Sequence, residues 1–167
     1  AHPHDHFAQD VIKRMIERSQ HLRDCVKIVY LPNYNPELAK LLVQGTDLWL
    51  NTPMRLHEAS GTSGMKAALN GTLNLSTLDG WWAEAFAMDP EAGWRIGPLA
   101  PAHDSSEHRK LDAEDIYTDL QFQILPEYEY KGRERWIRRM KRAIGLIGYF
   151  NTHRCVKEYL TKAWDAE

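Results

Sequence analysis

Residues 58–77 read EASGTSGMKAALNGTLNLST, and the order of residue types within that stretch decides the fold. Small and hydroxylated residues up to Gly64 precede the helix-forming run Met65–Leu69, and TLNLST (72–77) follows as a strand ended by Asp79-Gly80. Upstream, DLWLN (47–51) reads as another strand, closed by Pro53. PELAKLLVQG (36–45) reads as a helix with proline at an N-terminal position and glycine at its end. VKIVYL (26–31), a β-branched run ended by Pro32, reads as a buried strand. Strand, helix, strand, helix, strand is the signature of a parallel sheet in an α/β fold.

Beyond residue 80 the pattern changes. GWRIG (93–97) is weakly strand-like and PAHDSSEHRK (101–110) reads as a polar loop. Three helices are expected, at about 112–126, 133–147 and 151–164, with Asp112 capping the first and Asn151 or Thr152 the last. Trp136, Met140, Ile144 and Ile147 recur at helical spacing and predict a core face. About three parallel strands leave at least one sheet edge unpaired. The abrupt start AHPHDHFAQD adds to the expectation that residues 1–167 are part of something longer.

The chain has 167 residues, 43% of them apolar and 26% charged, with a formal charge of -2. That balance excludes a disordered chain and provides no Lys/Arg field for a nucleic-acid partner. The basic run KGRERWIRRMKR (131–142) is offset by Asp112, Glu114, Asp115 and Asp119 and reads as a solvated face. Cys25 and Cys155 show no metal-ligand spacing and read as free cytosolic thiols. No apolar stretch approaches a bilayer span and no signal peptide precedes the first helix, so a cytoplasmic protein without a membrane partner is expected.

The quoted stretch also carries the chemistry. Small residues at a helix start leave backbone N–H groups accessible, and the helix dipole favours an anion there. Gly61, Thr62, Ser63 and Gly64 therefore suit a phosphate, with two hydroxyls as further donors. Lys66 follows Thr62 by four residues on the same helix face, and its side chain leans back toward the helix start. Apolar neighbours (Met65, Ala67, Ala68, Leu69) predict a buried segment, in which an amine is more easily neutral and can form a Schiff base with an aldehyde. Phosphate and aldehyde together suggest pyridoxal phosphate; a lysine that merely reaches solvent is the alternative. Glu58, beside Ser60 and Gly61, suits a polyhydroxylated ligand such as a sugar, or serves as a capping carboxylate. His57 reads as a structural hydrogen-bonding residue, and adjacent Trp81 and Trp82 as packing rather than sugar-stacking residues. His103, His108 and His153 are expected at the surface.

At this point the residues carry a family resemblance. The gap-free pattern E-A-S-G-T-x-x-M-K, then L-N-G and T-L-D-G, closely resembles the pyridoxal-phosphate segment of the α-glucan (glycogen, starch, maltodextrin) phosphorylases. Ser63-Gly64 and Trp81-Trp82 resemble its divergent bacterial and archaeal branch, where animal and plant enzymes usually have Gly-Asn at the first pair. AHPHDHFAQ (1–9), YLPNYNPELAKLLVQGTDLWL (30–50) and YFNTHRCVKEYL (149–160) are similar to further family segments, and the likeness is weakest across about 100–135. The resemblance implies the second half of the C-terminal Rossmann-like domain of a GT-B glycosyltransferase. It implies that Lys66 carries pyridoxal 5'-phosphate covalently, that Thr62 with the Ser63 and Gly64 amides holds the cofactor phosphate, and that Tyr34 lies near the cofactor. It further implies that Glu58, Ala59, Ser60 and Gly61 bind the glucosyl hydroxyls. Asn35 departs from the basic residue that animal enzymes place after the tyrosine.

The implied reaction is reversible phosphorolysis of an α-1,4-glucan to glucose 1-phosphate with retention, in which Lys66 and Thr62 belong to the catalytic apparatus. The family's substrate-phosphate residues lie upstream of this stretch, so the 167 residues alone are expected to be inactive; a homo-oligomer of the complete protein stays open. Two rivals are kept. A nucleotide-sugar GT-B transferase would place a second glutamate seven residues after the first, where Met65 stands before Lys66. A non-catalytic glucan-binding chain would not need the intact Thr62 and Lys66. Alternating His2, His4 and His6 could share one face of an extended segment, but Asp5 would point away from them, and no physiological metal is expected.

Overall fold

Residues 3–99 and 106–164 are described by a computed structural model, in which the chain divides into two units, residues 1–39 and 40–167. The first unit carries helix α1 (His6–His21), whose start is capped by the Asp5 carboxylate accepting from the Ala8 N–H at 2.9 Å. None of its residues is buried. His6 is the first helical residue, so His4 and His6 do not share an extended segment; His2 lies outside the described residues. The expected strand at 26–31 is not formed. Residues 26–31 have no strand geometry, and Val26, Ile28, Val29, Tyr30 and Leu31 are all exposed. Helix α2 (Pro36–Gly45) begins as expected, and the Asn35 side chain caps it by accepting from the Leu38 N–H at 2.8 Å.

In the second unit, strands β1 (Leu48–Asn51), β2 (Leu73–Thr77) and β3 (Gly93–Ile96) form one parallel sheet in the order β1-β2-β3. Leu48 pairs with Leu73 at one end of the first ladder, and Thr77 with Ile96 at one end of the second. The three-stranded parallel expectation thus holds with a different membership: the weakly strand-like GWRI replaces VKIVYL. GWRI pairs with β2, which then has a neighbour on each side and is buried at every position, as a central parallel strand requires.

The crossovers are α3 (Thr62–Leu69) and α4 (Trp81–Met88), the second of which has no counterpart in the sequence expectations. The α3 helix ends at Leu69, Gly71 follows with a left-handed backbone (φ 81°), and the Thr72 N–H closes back on the Ala67 carbonyl at 3.0 Å. The core gathers Ala68, Leu73, Leu75, Trp82, Ala85 and Ile96 around the sheet, with the Trp94 and Trp136 rings tilted at 37° to each other, their centroids 5.9 Å apart.

Helix α5 (Ser106–Asp119) runs into a π-helical turn (Leu120–Ile124) and then α6 (Leu125–Glu129), followed by α7 (Glu134–Ile147) and α8 (Thr152–Tyr159). The helix expected from 112 begins by Ser106, so part of the expected polar loop is helical and residues 101–105 lie outside the described set. Asp112 is accordingly inside α5 and does not cap it; its carboxylate goes to Arg55 instead. Asn151 caps α8, its side chain accepting from the Arg154 N–H at 2.9 Å. On α7, Trp136 and Ile147 are buried and Met140 packs on the core, but Ile144 is exposed and Ala143 takes its place.

Candidate functional site

Ligands of parallel α/β sheets bind outside the carboxyl ends of the strands. At that edge the loop 52–61 follows β1, and Leu78–Gly80 follows β2. Thr77 Oγ1 donates to the Pro53 carbonyl at 3.1 Å, tying the two together. Arg55 anchors the loop more deeply. Its guanidinium is buried, makes a bidentate pair with Asp112 (Nη1 to Oδ2 at 2.8 Å) and reaches the Ile96 carbonyl at the end of β3. The sequence reading did not single out Arg55, and an arginine two residues after Pro53 and two before His57 carries no local signal of burial.

Glu58, half-buried, and Ala59, exposed, sit on this loop just before α3. The Asp79 carboxylate accepts from the backbone N–H groups of His57 and Glu58, at 3.1 and 3.0 Å. His57 thus makes a structural bond through its main chain. The Trp81 N–H donates to the Ser60 carbonyl at 2.8 Å. Trp81 and Trp82 are buried, and the Trp82 indole N–H donates to the Trp94 carbonyl at 3.2 Å, so both tryptophans pack as expected.

The α3 helix opens at Gly61, whose left-handed backbone (φ 82°) no ordinary side chain adopts easily, and which supplies no side-chain cap. Thr62 and Ser63 occupy the first helical turn, where no intrahelical carbonyl reaches their N–H groups. Gly64 differs: its N–H donates to the Gly61 carbonyl at 3.2 Å, and its Cα lies so close to the core that an added Cβ would stand 2.7 Å from Asn74 Oδ1 and 2.9 Å from Trp81 Nε1. Gly64 therefore lets the helix start dock on β2 and α4, while Thr62 and Ser63 carry the open donors. Asn74, buried in β2, donates its side-chain N–H to the Gly64 carbonyl at 3.2 Å.

Lys66 lies one turn after Thr62, and both side chains are exposed. This corrects the expectation of a buried segment. Ala67 and Ala68 face the core, but Lys66 and Leu69 are exposed. Tyr34 is exposed in the first unit. Cys25 and Cys155 are free, His153 is exposed, and His108 is half-buried; His103 is outside the described residues. No group of three metal-ligating side chains suited to an ion occurs among the described residues, and no helix there is long and apolar enough to cross a membrane.

The structure thus defines an α/β chain with a helix start and a carboxylate-bearing loop gathered at the carboxyl edge of a parallel sheet. The carbohydrate phosphorylase family model matches residues 1–119, and the chain belongs to that family. It is 43% identical over 163 residues to the maltodextrin phosphorylase of Thermococcus litoralis, covering 97% of this chain and 19% of that protein. It is 38% identical over 168 residues to the glycogen phosphorylase of Aquifex aeolicus, with 97% and 23% covered. The glycogen phosphorylase of Mycobacterium tuberculosis is 38% identical over 152 residues, with 89% and 17% covered. The chain spans about a fifth of the length of these relatives.

Proposed function

We propose that this chain is part of a cytoplasmic, pyridoxal-phosphate-dependent α-1,4-glucan phosphorylase, within the Rossmann-like C-terminal domain of a GT-B enzyme. The observation that carries the reading is the exposed Thr62–Lys66 face of α3, opening beside the Glu58–Gly61 loop. The residues fit such a cofactor. A helix start without a side-chain cap offers the Thr62 and Ser63 donors to a phosphate, and an amine one turn along is placed for an aldehyde on the same molecule. Lys66 holds the cofactor covalently. Thr62 and Ser63, with Gly64 setting how closely the turn docks, hold its phosphate.

Bound pyridoxal phosphate supplies an acid–base group, its own phosphate, beside the substrate phosphate. Glu58, through its carboxylate, and Ala59 to Gly61, through their peptide groups, orient the glucosyl unit, so the protein's share is positioning and electrostatics. Tyr34 is proposed as a cofactor neighbour in the complete enzyme. The reaction is reversible transfer of a glucosyl unit between an α-1,4-glucan and inorganic phosphate, giving glucose 1-phosphate with retention. The 167 residues by themselves do not turn over.

The test is chemical. The protein is mixed with pyridoxal phosphate, reduced with borohydride and mapped by mass spectrometry, with Lys66→Ala as control. Labelling confined to Lys66 is expected; labelling spread over surface lysines in the complete protein would overturn the cofactor assignment. A donor screen separates the nucleotide-sugar reading, since glucose 1-phosphate and not a nucleotide-glucose should elongate a maltodextrin.

A further inference from the structure

The loop that carries Glu58 is held by the turn after β2, and one side chain does most of the holding. Asp79 Oδ2 accepts from the N–H groups of both His57 and Glu58, and Oδ1 accepts from the Gly80 N–H at 2.9 Å. Two residues on, the Trp81 N–H donates to the Ser60 carbonyl. Between them the backbones approach so closely that a Cβ on Gly80 would stand 2.6 Å from the Ser60 carbonyl oxygen and 3.0 Å from Glu58 Cγ. Asp79-Gly80-Trp81 therefore grips residues 57–60 at both ends. A carboxylate is suited to this task, because it accepts only, with two oxygens, and its bonds to N–H groups are charge-assisted.

We propose that Asp79 is a positioning residue: by fixing the peptide groups of His57 and Glu58 it sets where the Glu58 carboxylate and the Ala59–Ser60 backbone stand toward the glucosyl unit. This rests on the reading of Glu58 given above. Asp79 does not itself touch substrate; its effect passes through Glu58, and misplacement of a binding group by about 1 Å can cost about a hundredfold in rate.

The experiment uses the complete natural polypeptide, with Asp79→Ala, Asp79→Asn, Glu58→Gln and the double variant Asp79→Ala/Glu58→Gln. Amide hydrogen exchange is followed on peptides spanning residues 55–61, alongside phosphorolysis kinetics on maltodextrin. In Asp79→Ala, exchange of the 57–60 amides should accelerate about tenfold or more while the rest of the map and Lys66 labelling stay unchanged. Asp79→Asn, which keeps one acceptor oxygen, should fall between Asp79→Ala and the wild type. The kcat/KM of Asp79→Ala should drop by about ten- to a hundredfold, yet adding Asp79→Ala to Glu58→Gln should cost less than about twofold more, because the two act as one unit. Full additivity would overturn the proposal, as would unchanged local exchange or acceleration spread over the whole chain. If the wild type shows no phosphorolysis while exchange at 57–60 still depends on Asp79, the functional reading fails and the positioning role stands.

Discussion

Arg55 shows how a single side chain can hold a loop. Its guanidinium is 3% exposed, which a cation tolerates only with partners, and Asp112 and the Ile96 carbonyl provide them. A buried pair of this kind adds little net stability over an apolar pair, but breaking it leaves an uncompensated charge. Arg55→Met is therefore expected to destabilise the chain by about 3–5 kcal/mol, and Asp112→Leu added to it should restore much of the loss. Urea denaturation checks both; if the double variant is less stable than Arg55→Met, the pair is not acting as a unit. Neither Arg55 nor Asp79 was legible in the sequence as a site residue. Their partners lie 57 and 22 or 21 positions away, and nothing local marks such a pairing.

At the scale of elements, periodicity identified helix faces well and their coverings poorly. On α7, successive residues turn by about 100°, so Ala143 and Ile147 fall within about 20° of Trp136 whereas Ile144 lies about 80° away. That geometry explains why Ile144 is exposed although it follows the i, i+4, i+8 count. On α3 the apolar run predicted burial, yet a helix has two sides: within the run Ala67 and Ala68 are buried and Met65 packs on the core, while Lys66 and Leu69 are exposed. The sheet behaves differently. With neighbours on both flanks, β2 depends on its own side chains to fill the layer, and Leu75 is 0% exposed. Leu75→Ala should cost about 2–5 kcal/mol by transfer and cavity terms together. A loss below about 1 kcal/mol in the same urea titration would mean that the layer collapses around the gap.

The whole molecule sets the response to pH. Burial first, and then the charge of Asp115, raise the Asp119 carboxyl above its ordinary value. The folded chain therefore binds this proton more tightly than the unfolded chain does. The contribution to stability is fully present below the unfolded pKa and is lost as pH rises through the raised folded pKa. Asp119→Asn should be more stable than the wild type at about pH 7, with the gap closing at about pH 3, where both side chains are neutral. Paired urea titrations at the two pH values read this directly, and a gap that does not depend on pH would sink it.

The sequence by itself, through the family resemblance that its residues 58–80 carry, determined the class of this protein and pointed to its candidate site. The glycine and proline stops, the hydroxylated helix start and the placing of Lys66 after Thr62 are properties of neighbouring residues, and they are legible without coordinates. The same is true of the 36–45 helix and of strands 48–51 and 73–77, where turn residues bound a single period. Only the tertiary structure decided which β-capable runs became strands. VKIVYL and GWRI both have strand-forming side chains, but a strand exists only where a second backbone satisfies its N–H and C=O groups, and β2 gave that partner to GWRI. Tertiary contact likewise decided that Asp112 pairs rather than caps, that Lys66 faces outward, and that the loop bearing Glu58 is gripped by Asp79. Each depends on groups brought together across long stretches of chain.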